Sequence, residues 1–245
     1  MLLYKNKKRS WICGAMLSLC SSITQASWYV EGNIGYDFPT VTGSNKIGSG
    51  NGWPADIYQI NNLVGEPIFG GSLGYEWFFP QRKFLSFFSA AAAYLYDKPT
   101  RLTGNVEQFS LPKFNNYIYH YNINRQTLMA LFQAGLFRVH FIVPYVSGGL
   151  GIAFNQTKPY VEIPSSGIIP RISPDFLGAS RSQFSYTVGA GIYFFPQESI
   201  ALNLGYRYTD FGIVQTGNAQ NGYSGYLTNA PRSNSLLMGI QFMFK

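Results

Sequence analysis

The sequence is short of charge. Of 245 residues only 18 are basic and 11 acidic, 12% of the chain, about half the share in an average soluble domain, which argues against an ordinary water-facing surface. Cysteine is nearly absent: Cys13 and Cys20 are the only two, both within the first 26 residues. A chain without that segment has no disulfide, no thiolate metal ligand and no thiol nucleophile. Histidine is limited to His120 and His140. Long apolar runs are missing and the mean hydropathy is close to zero, which excludes a bundle of apolar helices of ~20 residues each. What is abundant excludes disorder, because Phe (20), Tyr (18) and Trp (4) make up 17% of the chain, and disordered segments are poor in aromatics.

Residues 1–26 read as an export signal. Lys5, Lys7, Lys8 and Arg9 precede an apolar stretch from Trp11 to Cys20, and Thr24-Gln25-Ala26 sets small side chains at the −3 and −1 positions of a cleavage site. The expected organisation is a cleavable signal at 1–26 and a mature chain at 27–245. Four of the 18 basic residues leave with the signal, so the net charge falls from +7 to +3. The argument for nucleic-acid binding goes with it.

The mature chain alternates with a period of two. From Ser199, Ile200, Leu202, Leu204, Tyr206 and Tyr208 share one parity, and Ala201, Asn203, Gly205, Arg207 and Thr209 the other. Leu236, Met238, Ile240, Phe242 and Phe244 repeat the pattern, as do Phe184 to Phe194, and so do 28–37, 67–79, 124–139 and 143–155. The segment 84–96, with Ala90 to Ala93, also suits a helix locally, but its flanking aromatics favour a strand. Eight strands of about 10–13 residues result, the length that crosses a membrane when tilted. Short connections alternate with long ones at 39–66, 97–123, 156–182 and 212–232. That order predicts an all-β, eight-stranded antiparallel up-and-down barrel in the bacterial cell outer membrane, with tight periplasmic turns and long extracellular loops. A soluble ligand-carrying barrel fits less well, because the second face is dominated by Gly, Ser, Ala, Thr and Asn, which fill a narrow lumen.

The stretch Leu202-Asn-Leu-Gly-Tyr-Arg-Tyr-Thr-Asp-Phe-Gly212 resembles the penultimate strand of the OmpA-like outer-membrane β-barrel family, which includes many bacterial surface antigens. Trp28-Tyr-Val-Glu-Gly-Asn-Ile-Gly-Tyr36, Pro144-Tyr-Val-Ser-Gly-Gly-Leu-Gly151 and Phe242-Met-Phe244 are similar to its other strands. The resemblance implies a barrel-only member without a peptidoglycan-binding domain. Its implied partners are outer-membrane lipid and lipopolysaccharide, the barrel-assembly machinery reading Phe242 and Phe244, and a host or environmental surface ligand. Lys245 departs from the family's terminal aromatic.

Little in the sequence points to an enzyme or a cofactor. His120 falls in a long loop and His140 at a periplasmic turn, so the two cannot share an active site, and Ser233 and Ser235 have no flanking His. Gly189-Ala-Gly191-Ile-Tyr-Phe194 breaks the dinucleotide fingerprint and lies within a strand. Asp56, Asn61 and Asn62 lack EF-hand spacing. The expectation is a non-enzymatic protein with a structural and surface-interaction role through its loops, without a cofactor. The alternatives are an OmpW-like passage for small apolar molecules and a lipid A-modifying enzyme. Parity places Glu31, Asn33, Glu76, Asn203, Arg207 and Gln241 in the lumen, as a structural plug or a weak gate centred on Arg207. Trp28, Tyr36, Trp77, Phe79, Tyr94, Tyr96, Phe194 and Tyr208 are the expected interfacial aromatics.

Overall fold

The structure, a computed structural model, describes residues 25–41, 43–49 and 52–244. The basic and apolar parts of the export signal, and Lys245, lie outside the described residues. Fourteen strands follow in chain order: β1 (Gln25–Thr40), β2 (Ser44–Ser49), β3 (Asp56–Leu63), β4 (Glu66–Phe78), β5 (Phe87–Glu107), β6 (Asn115–Gly135), β7 (Ile142–Thr157), β8 (Val161–Pro164), β9 (Ala179–Gln197), β10 (Ile200–Asp210), β11 (Val214–Gln215), β12 (Tyr223–Ser224), β13 (Thr228–Asn229) and β14 (Arg232–Phe244).

Eight of them close into an antiparallel ring in the order β1-β4-β5-β6-β7-β9-β10-β14, and β14 pairs back onto β1. Closure leaves the ring no unpaired edge, the condition for crossing lipid with strands. Its register follows from a single row of paired residues. The row Asp37–Ser235–Arg207–Gly189–Ser147–Gln133–Ser89–Glu76–Ser27 returns to β1 ten residues from its start. A stagger of that size over eight strands tilts them by about 40°.

The outward parity is apolar. On β1 it runs Trp28, Val30, Ile34, Tyr36 and Phe38, all exposed, and the ten steps from 28 to 38 at ~3.3 Å, tilted by ~40°, give a band ~25 Å tall. That is the height of an outer-membrane belt. The inward parity pairs large side chains with glycine. Phe87 lies against Gly135, and Tyr145 lies over Gly205, where an added Cβ would collide with the ring or its hydroxyl. A narrow lumen can hold such rings only where the facing residue has no side chain.

The long connections depart from the expectation. They lie between the predicted ring strands, but 39–66 and 97–123 are largely folded as strands, and 156–182 and 212–232 carry the short strands β8, β11, β12 and β13. Segment 97–123 is mostly the continuation of β5 and β6, which stay paired as far as Glu107 and Asn115. β3 takes over from β4 as the partner of upper β5, and β8 takes over from β7 on upper β6. The ring therefore continues above the belt as a β-built extension with its own core, in which Tyr58, Leu102, Tyr119, Tyr121, Tyr160, Phe176 and Leu227 are buried together. One further expectation is corrected: Phe79 is 3% exposed rather than interfacial, because β4 ends at Phe78 and the turn carries the ring under the barrel.

Candidate functional site

The lumen is filled in layers. Nearest the short turns, Tyr29, Phe87, Val143, Tyr145, Tyr193, Phe195 and Met243 form an apolar floor. Above it lies a polar layer. Asn203 Nδ2 donates to Glu31 Oε1, Tyr193 Oη reaches Gln133 Oε1 at 3.0 Å and Glu31 Oε2 at 3.3 Å, and Gln241 Nε2 donates to Glu76 Oε2 at 3.0 Å. Ile68, Ala93, Leu95, Met129, Leu131 and Leu237 make a second apolar layer.

The outer polar layer is an ion cluster. Arg125 Nη2 donates to Asp37 Oδ2 at 2.8 Å, and its Nε lies 3.0 Å from Asp97 Oδ2. Arg125 is 1% exposed and the two carboxylates are buried with it. Ser235 Oγ donates to Asp37 Oδ1 at 2.8 Å and Ser233 Oγ bonds the same oxygen. Phe211, just past β10, turns inward and stacks on the guanidinium, with its centroid 4.3 Å from Cζ. A cation held by two carboxylates and a ring face has the partners that burial of charge demands. The cluster caps the lumen.

A second ion cluster sits in the extension. Arg171, from the segment between β8 and β9, donates from Nε to Glu162 Oε1 at 2.7 Å and from Nη1 to Asp56 Oδ2 at 2.5 Å. Its guanidinium lies over the rings of Tyr117 at 4.8 Å and Tyr223 at 5.5 Å. The clamp ties 165–178 down onto β3 and β8. Burial raises the phenol pKa values of Tyr58, Tyr119 and Tyr160, and nearby Glu162 raises those of Tyr58 and Tyr160 further. Burial lowers the pKa of Arg171, but its bonds to Glu162 and Asp56 outweigh that and leave it raised overall. The same bonds occupy Asp56, whose Oδ1 also accepts from Phe109 N at 2.9 Å.

Of the residues singled out in the sequence, Glu31, Glu76, Asn203, Arg207 and Gln241 are buried in the lumen and Asn33 half-buried beside them. Arg207 has an unpartnered Nη1 and no ion pair among the described residues. Trp28, Tyr36, Tyr94, Tyr96 and Phe194 are exposed on the outer wall, with Trp77 and Tyr208 partly so, and Phe242 and Phe244 face outward at the end of β14. His120 faces out beside Arg101; partial burial, and secondarily that cation, lower its pKa. His140 is at the opposite end, its carbonyl accepting from Arg138 Nε at 2.9 Å. Ser233 and Ser235 face the lumen and meet neither histidine.

Both ion clusters escaped the sequence reading. Asp37 and Arg125 share the inward parity of Glu31 and Gln133, so carrying each strand a few residues further outward would have found them. Arg171 lies outside any strand and left no periodic signal.

Residues 12–230 match the sequence family described as outer membrane protein beta-barrel domain. An uncharacterized protein of Brucella suis biovar 1 is 26% identical over 209 residues, 79% of this chain and 70% of that protein. The 22 kDa outer membrane protein of Rhizobium leguminosarum bv. viciae is 30% identical over 106 residues, 40% of this chain and 45% of its own length. Among solved structures, OprG from Pseudomonas aeruginosa overlaps 89% of this chain and 96% of its own at 14% identity and a TM-score of 0.48. Neisserial surface protein A overlaps 90% and 99%, at 14% identity and a TM-score of 0.46.

Proposed function

The chain belongs to the outer-membrane protein β-barrel family, and from that premise we propose that it is a closed, non-enzymatic barrel whose structured extension contacts ligands outside the cell. One observation carries the reading: the four long connections form a single platform with a buried aromatic core and an arginine clamp, rather than separate loops. Rigid scaffolds hold recognition residues in fixed positions, and Trp53, Ile169 and Ile172, all strongly exposed, are displayed there. The lumen side chains support the same reading, since apolar layers alternate there with hydrogen-bonded ones. During biogenesis Phe242 and Phe244 present the alternating aromatics that the assembly machinery would read.

The test has two arms. In planar bilayers the full mature chain should give at most small, rare conductance steps; large steady currents overturn the closed lumen. Cells displaying the protein should adhere to immobilised extracellular-matrix glycoproteins, and a Trp53→Ser, Ile169→Ser, Ile172→Ser variant should lose at least about tenfold of that adhesion while keeping its heat-modifiable mobility. Unchanged adhesion removes the platform as the interacting surface.

A further inference from the structure

The apolar floor of the lumen has an underside. At the short-turn end, Phe87, Val143 and Phe195 line a hollow of about 440 Å³, within the range of roughly 300–1,000 Å³ usual for ligand sites. Phe79, from the connection between β4 and β5, joins them in the lining, and all four side chains are buried. Phe87, Val143 and Phe195 take the inward parity of their strands, so the hollow is entered along the barrel axis from the aqueous side and not from the leaflet.

The rim is basic. Arg82, Lys83 and Arg138 line the hollow, and among the described residues no carboxylate does. The connections 79–86 and 136–141 contain no Asp or Glu, and Glu198, on the third short connection, borders an adjoining hollow instead. Cζ of Arg82 stands 5.5 Å from the ring centroid of Phe79, and Cζ of Arg138 stands 5.4 Å from that of Phe195. A guanidinium can stack on a ring by its face and bind a planar carboxylate by its edge at the same time. Arg138 also donates from Nε to His140 O at 2.9 Å, so a ring and a carbonyl both hold it in place. The connection that carries Arg82 is pinned as well: Phe79 N donates to Ser86 O at 2.9 Å, Arg82 N to Phe79 O at 3.0 Å, and Ser86 Oγ to Leu136 O. Both arginines are thus ordered before a ligand arrives, which lowers the entropy lost on binding.

We propose that this mouth binds an acidic peptide segment of a periplasmic protein, with one apolar side chain in the hollow against Phe79, Phe87 and Phe195 and its carboxylates on Arg82, Lys83 and Arg138. The buried rings match the apolar side chain, and the one-signed rim matches the carboxylates. A leaflet lipid would have to leave its layer to reach a hollow beneath the barrel axis. The proposal rests on the outer-membrane placement of the chain with its short turns in the periplasm, and it is independent of what the extension binds.

Purified mature protein in neutral detergent would be titrated calorimetrically with an N-acetylated peptide of alternating phenylalanine and glutamate. The same peptide with glutamine for glutamate, the same peptide with glycine for phenylalanine, and phosphatidylglycerol serve as comparisons. The phenylalanine–glutamate peptide should bind at least about tenfold more tightly than each of the other three. Arg82→Gln with Arg138→Gln should remove about tenfold of that affinity and leave the glutamine peptide as it was, and Lys83→Glu, at an exposed position, should weaken the glutamate peptide too. An unchanged heat-modifiable shift verifies that each variant folds. Equal affinity for the phenylalanine–glutamate peptide and either substituted peptide, variants with the affinity of the parent chain, or phosphatidylglycerol bound as tightly as the peptide overturns the site. Each of these results leaves the adhesion and conductance outcomes untouched.

Discussion

Replacing Arg125 by Met should be among the most damaging single changes in the barrel. The side chain is 1% exposed and its guanidinium lies 2.8 Å from Asp37 and 3.0 Å from Asp97. Met keeps much of the volume but leaves two buried carboxylates without their cation, and breaking a buried pair in this way costs about 3–5 kcal/mol. Loss of the contact with the Phe211 ring adds to this, by about 1–2 kcal/mol for a desolvated cation. The charge-neutral triple variant Asp37→Asn, Arg125→Met, Asp97→Asn removes the uncompensated charge together with the ion pairs. It should recover most of the loss, because a buried ion pair gains little over well-packed neutral groups. Urea unfolding in detergent micelles, followed by the heat-modifiable shift on semi-native gels, measures both. A loss below about 1 kcal/mol in Arg125→Met, or a triple variant as unstable as the single one, would refute the argument that charge compensation holds this layer.

Three further outcomes follow from other parts of the molecule. Gly135→Ala pushes a Cβ into the Phe87 ring and should cost about 1–3 kcal/mol, with Phe87→Leu in the same chain restoring part of it; a neutral Gly135→Ala would show that the ring has room to move. Arg171→Gln releases the clamp on 165–178 and should raise the rate of limited proteolysis within that segment about tenfold or more, while the ring keeps its heat-modifiable mobility; equal cleavage rates would mean that the clamp does not hold the segment. Tyr58, Tyr119 and Tyr160 have phenols raised in the folded state, whereas unfolded phenols ionise near pH 10. The unfolded chain therefore binds fewer protons above pH ~10, so stability of the extension is intact below that pH and falls above it. Absorbance of tyrosinate should rise in two steps, exposed tyrosines first and the buried ones with loss of the extension; one step near pH 10 would contradict their burial.

The ring was legible because the two faces of each strand differ in composition all along it. Ile200 to Tyr208 and Leu236 to Phe244 need no tertiary information to be read. The extension was hidden by a change of parity. On β5 the buried residues Ala93, Leu95 and Asp97 are odd-numbered, but beyond a register shift between Asp97 and Thr100 they become Thr100, Leu102 and Val106. A bulge inserts a residue and flips every following side chain, so a reader who keeps one parity sees noise from residue 98 onward. β6 has no such break, and Tyr117, Tyr119, Tyr121, Ile123 and Arg125 continue the inward parity of Met129 and Leu131 up to the extension.

The ion clusters lie beyond periodicity for a different reason. Asp37 and Arg125 are 88 positions apart, and Asp56 and Arg171 are 115 apart; parity states which face a charge takes, but only ring closure at a given stagger states which charges share a level. A stagger of eight rather than ten would set Asp37 against a different part of the lumen and leave Arg125 without one of its two acceptors. The Asp37–Arg125–Asp97 cluster thus records the register of the closed ring, and it caps the lumen at the height where the belt ends and the extension begins. The proposed role of the platform accordingly draws on surface above that cap, and not on the lumen polar residues that the alternating pattern first brings to notice.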